Sequence, residues 1–529
     1  MSITRSFIDR LASVPIKPYL NQVLSLVSDA LVPTTTVSAP PQTVTALNGS
    51  SVRHDFTPAT NLLSRQSDAE CSANSPCPDG SCCNNSGGCG YGPDNCGAGN
   101  CTNNCNATAL CGRDSLDGSV SCPLNVCCSY YGYCGVSPLF ILNPYTGTEF
   151  CDSPNPNSPC QQGFGSCSTV PAPSCGGSSA LGRTIAYYQV SNSYSRQCQR
   201  ITPSQIDTTG LTHLNLAFAS IDPSTFEVVP VDSRDVPIYT EFTALKSTTL
   251  ETWISIGGWD FNDPGPTQTT WSDLAASEST RAAFISSLKD FMDKYGFQGV
   301  DIDWEYPGAP DRNGKPEDTK NFVTLLQEMR SAYGTSYGIS VTLPSSYWYL
   351  RWFDPKGMEP YVDFFGLMTY DLHGPWDASV KDIGKTIIGQ TNIPEIYNWT
   401  SPLWYDGIDP SKINLGLAYY GRGYTVASVD CMEVGCKWSS TSRPAPCTAF
   451  GGVMSLEEIQ SLMIPQIGVE PILDSDAMMK YLVWSDQWVG YDDSETIAMK
   501  KSWASSHCLG GTMIWSIDLY SGSGSGNTP

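Results

Sequence analysis

The chain has 529 residues, with 29 Lys and Arg against 52 Asp and Glu, a formal charge of −23. That balance disfavours nucleic acid and other polyanions as partners and suits a neutral ligand, while the length points to two or three folded units. No apolar run of about 18 residues occurs, so no membrane span is expected.

Residues 1–70 are rich in Ser, Thr, Val and Pro without a sustained helical or strand period, and read as a processed or disordered leader. The apolar stretches of the first twenty residues are broken by Asp9, Arg10, Pro15 and Lys17, a poor core for a signal peptide. Secretion is therefore inferred from the cysteines. Of 22, sixteen crowd between Cys71 and Cys167, a density that implies disulfides and an oxidising compartment. Sequons at Asn48, Asn84, Asn100, Asn106 and Asn398 agree with an extracellular or cell-wall location. With four His and no zinc-type ligand spacing, neither metal nor cofactor is expected.

Two cysteine modules come next, 71–106 and 107–168, and they form a degenerate tandem repeat. The first holds Cys71, Cys77, Cys82, Cys83, Cys89, Cys96, Cys101 and Cys105; the second holds Cys111, Cys122, Cys127, Cys128, Cys134, Cys151, Cys160 and Cys167. In each, an adjacent pair lies five residues after one Cys and six before the next. A Pro- and Ser-rich linker, 169–182, separates them from the rest.

From Arg183 onward short strand-like runs alternate with amphipathic helices. Eight strand candidates, 183–190, 213–220, 251–258, 299–305, 338–344, 363–371, 413–421 and 511–518, match an α/β fold of the (β/α)8 barrel type over 183–520. Between the fourth and fifth, Phe322, Leu325, Leu326, Met329 and Tyr333 share one helical face and are assigned to the core. The stretch from about 424 to 490 is too long for a simple connection and is read as an inserted α+β lobe beside the barrel mouth. Residues 521–529, SGSGSGNTP, read as a flexible Gly/Ser-rich tail.

The fourth strand candidate carries the chemistry. Asp301, Asp303 and Glu305 alternate with Val300, Ile302 and Trp304, so a strand places the carboxylates on one face, Cα atoms about 6.6 Å apart per two-residue step. If the apolar face packs on helices, the acids point into the barrel, where burial and mutual repulsion raise at least one pKa. Glu305 then sits at the strand's C-terminal end, where barrel enzymes do their chemistry.

GVDIDWEYPG (299–308) resembles the DxxDxDxE signature of glycoside hydrolase family 18, with SIGGW (255–259), LMTYD (367–371) and MIWSID (513–518) similar to its other strand motifs. The signature's first Asp is Gln298 here, a departure at the base of the strand that is expected to affect packing and not activity. The resemblance implies a chitinase that uses the substrate's own acetamido group as nucleophile. In that scheme Glu305 is the general acid, Asp303 orients the acetamido N–H, Asp301 shares a proton or hydrogen bond with Asp303, and Tyr370 donates to the reacting carbonyl. Family 18 is a known exception to the two-carboxylate rule for glycosidases. Asp371 would hold sugar groups, and Met368 and Trp515 an apolar floor. Trp259, Tyr188, Phe218, Tyr420 and Arg422 also end strand candidates and are further subsite candidates.

CPLNVCCSYYGYCG (122–135) resembles the hevein-like chitin-binding domain, whose frame here is Cys111, Cys122, Cys127, Cys128, Cys134 and Cys151. The resemblance maps its sugar site onto Ser129, Tyr131, Tyr133 and Phe150. The first module has Asn84, Ser86 and Gly88 at the corresponding places, with Tyr91 its one nearby ring, and reads as a spacer. Together the units are similar to fungal family 18 chitinases, killer-toxin subunits included, and imply a secreted monomer acting on chitin or N-acetylglucosamine oligomers. A module on a short tether would raise the local concentration of the barrel at the polymer. The alternatives are a non-catalytic lectin on the same barrel and an endo-β-N-acetylglucosaminidase acting on N-glycans.

Overall fold

The expected alternation of strands and helices closes into a barrel in the computed structural model, which describes residues 71–77, 80–136, 160–380 and 383–520. Eight parallel strands form it: β1 Arg183–Gln189, β2 His213–Ile221, β3 Glu251–Gly257, β4 Gly299–Asp303, β5 Gly338–Pro344, β6 Phe364–Met368, β7 Ile413–Ala418 and β8 Gly511–Trp515. Each pairs with its sequence neighbours, and β1 closes the ring by pairing with both β2 and β8. The leader, the tail, Phe150 and Cys151 lie outside the described residues.

The two-residue period of a strand decides what each side chain meets. Ile185, Tyr187, Trp253, Phe364 and Met513 fill the barrel interior. Val300, Ile302, Val341, Phe365 and Leu415 point the other way, into the core shared with the helices. Helix α1, Glu278–Tyr295, starts on Ser277, whose hydroxyl accepts the Thr280 N–H, and stops at Gly296, with φ 83°. Helix α2, Asp318–Tyr333, buries the whole expected stripe from Phe322 to Tyr333.

Strand ends differ from expectation where the chain turns over the mouth. β4 stops at Asp303, β6 at Met368 and β8 at Trp515, so Glu305, Tyr370 and Asp371 stand on the loops that follow. β7 ends at Ala418, and Tyr420 opens the first strand of the insertion. That insertion is a six-stranded antiparallel sheet running from Tyr420 to Tyr491, with helix Leu456–Leu462 and a small core of Tyr424, Trp438, Met479 and Trp488. Cys198–Cys447 ties the insertion to the β1–β2 loop, and Cys431–Cys436 closes a short loop within it.

The two cysteine modules repeat one pairing scheme. Cys71–Cys83 and Cys77–Cys89 in the first correspond to Cys111–Cys128 and Cys122–Cys134 in the second; the adjacent Cys pair lies on the central strand of a three-stranded sheet in the first and on a two-stranded hairpin in the second. The cysteine trios close enough to share an ion, Cys71, Cys77, Cys83 and Cys111, Cys122, Cys134, have all six sulfurs in these disulfides.

The linker is not the free tether expected from its composition. Cys175 bonds Cys508, and its N–H donates to the Ser506 carbonyl, so the linker is fixed to the barrel's last helical turn. The second module is docked as well. Leu124, Val126 and Val136 are buried in continuity with the barrel core, and Asn125 Nδ2 donates to the Tyr405 carbonyl at 3.2 Å. Among the described residues, no helix is long and apolar enough to cross a membrane.

Candidate active site

Strand parity carries Asp301 and Asp303 of β4 inward, and the loop that follows brings Glu305 to the same mouth. Asp301, Asp303 and Glu305 are 1%, 3% and 8% exposed, while Trp304 turns outward and stacks on Trp271. Burial without partners would be costly for a carboxylate, and neighbouring strands supply them. Asp301 accepts hydroxyl hydrogens from Ser255 on β3 at 3.0 Å, Ser340 on β5 at 2.6 Å and Tyr187 on β1 at 2.9 Å. Thr342 on β5 donates to Asp303.

The glycine pair in SIGGW has a steric reason. Gly257, at φ 108°, would place a Cβ 2.1 Å from the Asp303 carbonyl oxygen, and Gly258, at φ 84°, would drive one into the Phe218 ring. Only glycine lets β3 end so close against the acid strand.

Electrostatics separate the acids. Burial, reinforced by the neighbouring Glu305 and Asp301 charges, pushes Asp303 well above the usual carboxylate range. Burial raises Glu305 to about 7, a rise that the Arg312 guanidinium and a hydrogen bond from Tyr306 restrain. Burial also raises Asp301, against the three hydroxyls that favour its charged form. A proton is thereby retained in the Asp303–Glu305 pair near neutrality, as a general acid needs. Arg312 is fixed by an ion pair to Asp263 at 2.6 Å, by donation from Nε to the Glu305 carbonyl at 2.9 Å, and by stacking 3.8 Å from the Trp259 ring centre.

These groups face a cavity of about 1800 Å³ lined by Asp303, Glu305, Met368, Tyr370, Asp371 and Trp515. Burial and the Asp303 and Glu305 charges keep the Tyr370 hydroxyl protonated, raising its pKa well above the usual phenol value. Trp515 stacks on Phe218, with ring centres 5.6 Å apart. Asp371, in the left-handed region at φ 56°, is held by Arg422 through both carboxylate oxygens, at 2.7 and 2.6 Å, and by the Tyr420 hydroxyl at 2.7 Å. Behind it, His373 is buried between Asp377 and Glu395, each 2.9 Å away. Burial opposes a charge there, but the two carboxylates outweigh it and push the imidazole up to about 10.

Of the weaker subsite candidates, Phe218, Trp259, Tyr420 and Arg422 line the cavity. Tyr188 does not. It shares the outward parity of Ala186, is fully buried, stacks on Phe242 and donates its hydroxyl to the Ile201 carbonyl. The ring that enters the site is Tyr187, one residue earlier, and its inward parity with Ile185 was the available signal. Ser255, Ser340 and Thr342 follow from strand alternation, whereas Arg312, at the end of the 3-10 turn Pro310–Arg312, and His373, on a loop, carried no local signal.

The sugar site expected on the second module is only partly exposed. Tyr131 is 50% exposed, but Ser129 is buried, its hydroxyl accepting the Tyr133 N–H at 3.1 Å. Tyr133 is also buried, because Tyr91 of the first module packs on it with ring centres 5.3 Å apart. The first module is therefore a cover for the second and not merely a spacer. Among the sequons, Asn398 is buried on helix Ile393–Asp406 and cannot carry a glycan in the folded chain, while Asn100 and Asn106 are exposed.

Comparison with known proteins follows these boundaries. Residues 183–519 match the model of glycosyl hydrolases family 18. The secreted chitinase LysM12 of Penicillium expansum is 29% identical over 424 residues, covering 75% of this chain and 27% of its own. The killer toxin subunits alpha/beta of Kluyveromyces lactis are 28% identical over 422 residues, 76% of this chain and 34% of theirs. The chain thus spans about a third or less of the length of these curated relatives. Among solved structures, catalytic domain 2 of the Ostrinia furnacalis Group II chitinase is 27% identical with a TM-score of 0.58, covering 64% of this chain and 90% of that domain. With the barrel, its acid strand and the matched span in agreement, this chain belongs to glycosyl hydrolases family 18.

Proposed function

We propose that the protein is a secreted chitinase that cleaves β-1,4-N-acetylglucosamine linkages with retention, the substrate's acetamido oxygen acting as nucleophile. The observation that carries this reading is a protonatable Glu305, raised to about 7, standing at the cavity beside a buried Asp303 and the Tyr370 hydroxyl. Glu305 hands its proton to the glycosidic oxygen as the C–O bond breaks. The acetamido oxygen of the preceding sugar closes on the anomeric carbon, giving a cyclic oxazolinium. Asp303 accepts the acetamido N–H and balances the positive charge that develops, while Tyr370 donates to the reacting oxygen. Water, deprotonated by Glu305, then opens the ring.

Within this scheme Asp301 sets the hydrogen-bonding state of Asp303, and Met368, Phe218 and Trp515 form the apolar floor under the reacting sugar. Tyr420 and Arg422 hold Asp371 at the cavity wall. Export is supported by ten disulfides among the described residues. The test is incubation with labelled chitotetraose between about pH 4 and 8, with the product anomer read by NMR before mutarotation. β-Anomer release supports the mechanism; binding without cleavage at every pH would leave a lectin.

A further inference from the structure

Two residues lining the catalytic cavity come from outside 183–520: Leu110 and Cys134 belong to the second cysteine module. Their presence there follows from the docking of that module. The turn Pro123–Asn125 packs against helix Ile393–Asp406, and the Tyr347 hydroxyl, at the cavity wall, lies 3.5 Å from the Pro123 carbonyl. The Cys175–Cys508 bond fixes the linker behind it.

Leu110 is 36% exposed, and its N–H donates to the Gly132 carbonyl at 3.1 Å. Gly132, at φ 83°, would place a Cβ 2.4 Å from that of Ala109, so only glycine brings the Tyr131–Gly132 turn this close to the Ala109–Leu110 segment. The exposed ring of Tyr131, braced edge-on by Tyr130 at 5.2 Å, thus stands next to a residue of the cavity rim. Trp515, Phe218, Trp348 and Leu110 all line this one cavity.

We propose that the second module is one wall of the catalytic groove, with Leu110 and Tyr131 forming a distal subsite for the same N-acetylglucosamine strand that Glu305 cuts. This rests on the hydrolase reading above and replaces an independent anchor with an extension of the groove. Pyranose C–H faces stack on such rings, and a neutral polymer suits a protein of charge −23.

The test compares kcat/KM on soluble glycol chitin with kcat/KM on chitotetraose for the full chain and for Tyr131→Ala, Leu110→Asp and Leu116→Ala. Leu116 is 83% exposed on the same module and serves as control. Tyr131→Ala and Leu110→Asp should each lower the polymer-to-tetramer ratio about threefold to tenfold, and Leu116→Ala should leave it unchanged. An unchanged ratio in Tyr131→Ala and Leu110→Asp, with adsorption to insoluble chitin reduced, would make the module a separate anchor and overturn the proposal. An equal drop in Leu116→Ala would overturn it too, as a general effect of the module's fold. Failure of the unmodified protein to cleave either substrate would instead remove the hydrolase reading beneath it.

Discussion

The acid strand and the second cysteine module are both recognised from side chains at fixed spacing, yet the first turns its acids to the cavity while the second leaves only part of its expected ring set exposed. On β4 the backbone itself converts position into direction, because successive side chains must alternate between barrel interior and helices. Asp301 and Asp303 had no third option. In the module the disulfides fix the frame, but which rings remain open depends on what is laid against that frame. Tyr131 is open and Tyr133 is covered by Tyr91, although the two lie two residues apart on one turn.

The largest test of the first half of that contrast is Glu305→Gln, which keeps shape and removes the transferable proton. Turnover of chitotetraose should fall about a thousandfold with oligomer binding retained; comparable activity in single-turnover assays would mean that Glu305 is not the proton donor. Next, the paired substitution Cys175→Ser with Cys508→Ser opens a loop of 333 residues in sequence separation. It should destabilise the chain by about 2–5 kcal/mol, visible as a lower midpoint in urea, and make the linker between module and barrel susceptible to protease.

A finer test concerns pH. The general acid must be protonated, so kcat/KM should hold at low pH and fall as pH rises through about 7, where Glu305 loses its proton. Arg312 lowers the Glu305 pKa by its charge, with Asp371 and Asp260 acting against it. Arg312→Met removes the positive charge and should move the alkaline limb to higher pH; a limb that stays or moves down would show that another group governs it. The smallest effect bears on the module. Tyr91→Ala should uncover Tyr133 and raise adsorption to insoluble chitin about twofold to fivefold, whereas reduced adsorption would make Tyr91 a sugar-binding ring in its own right.

Much of this was legible in advance. The eight strands, the buried stripe of α2 and the carboxylate register come from hydrophobic periodicity, which reports the burial of whole faces, and the insertion from the length of its stretch. Tyr188 shows how that reading slips: two adjacent tyrosines in β1 present the same composition, and only parity with Ile185 assigns Tyr187 to Asp301 and Tyr188 to the core. Arg312, His373 and Leu110 were not legible, because each enters the site from a loop or module whose path is set by packing far along the chain.

The sequence by itself determined the closed barrel and the direction of Asp301 and Asp303, because strand alternation is local geometry. Tertiary structure alone decided that a guanidinium stands beside Glu305, that the first module covers the second, and that the second abuts the mouth. Those outcomes depend on contacts between segments hundreds of residues apart, and local periodicity carries no record of which distant surface a given surface will meet.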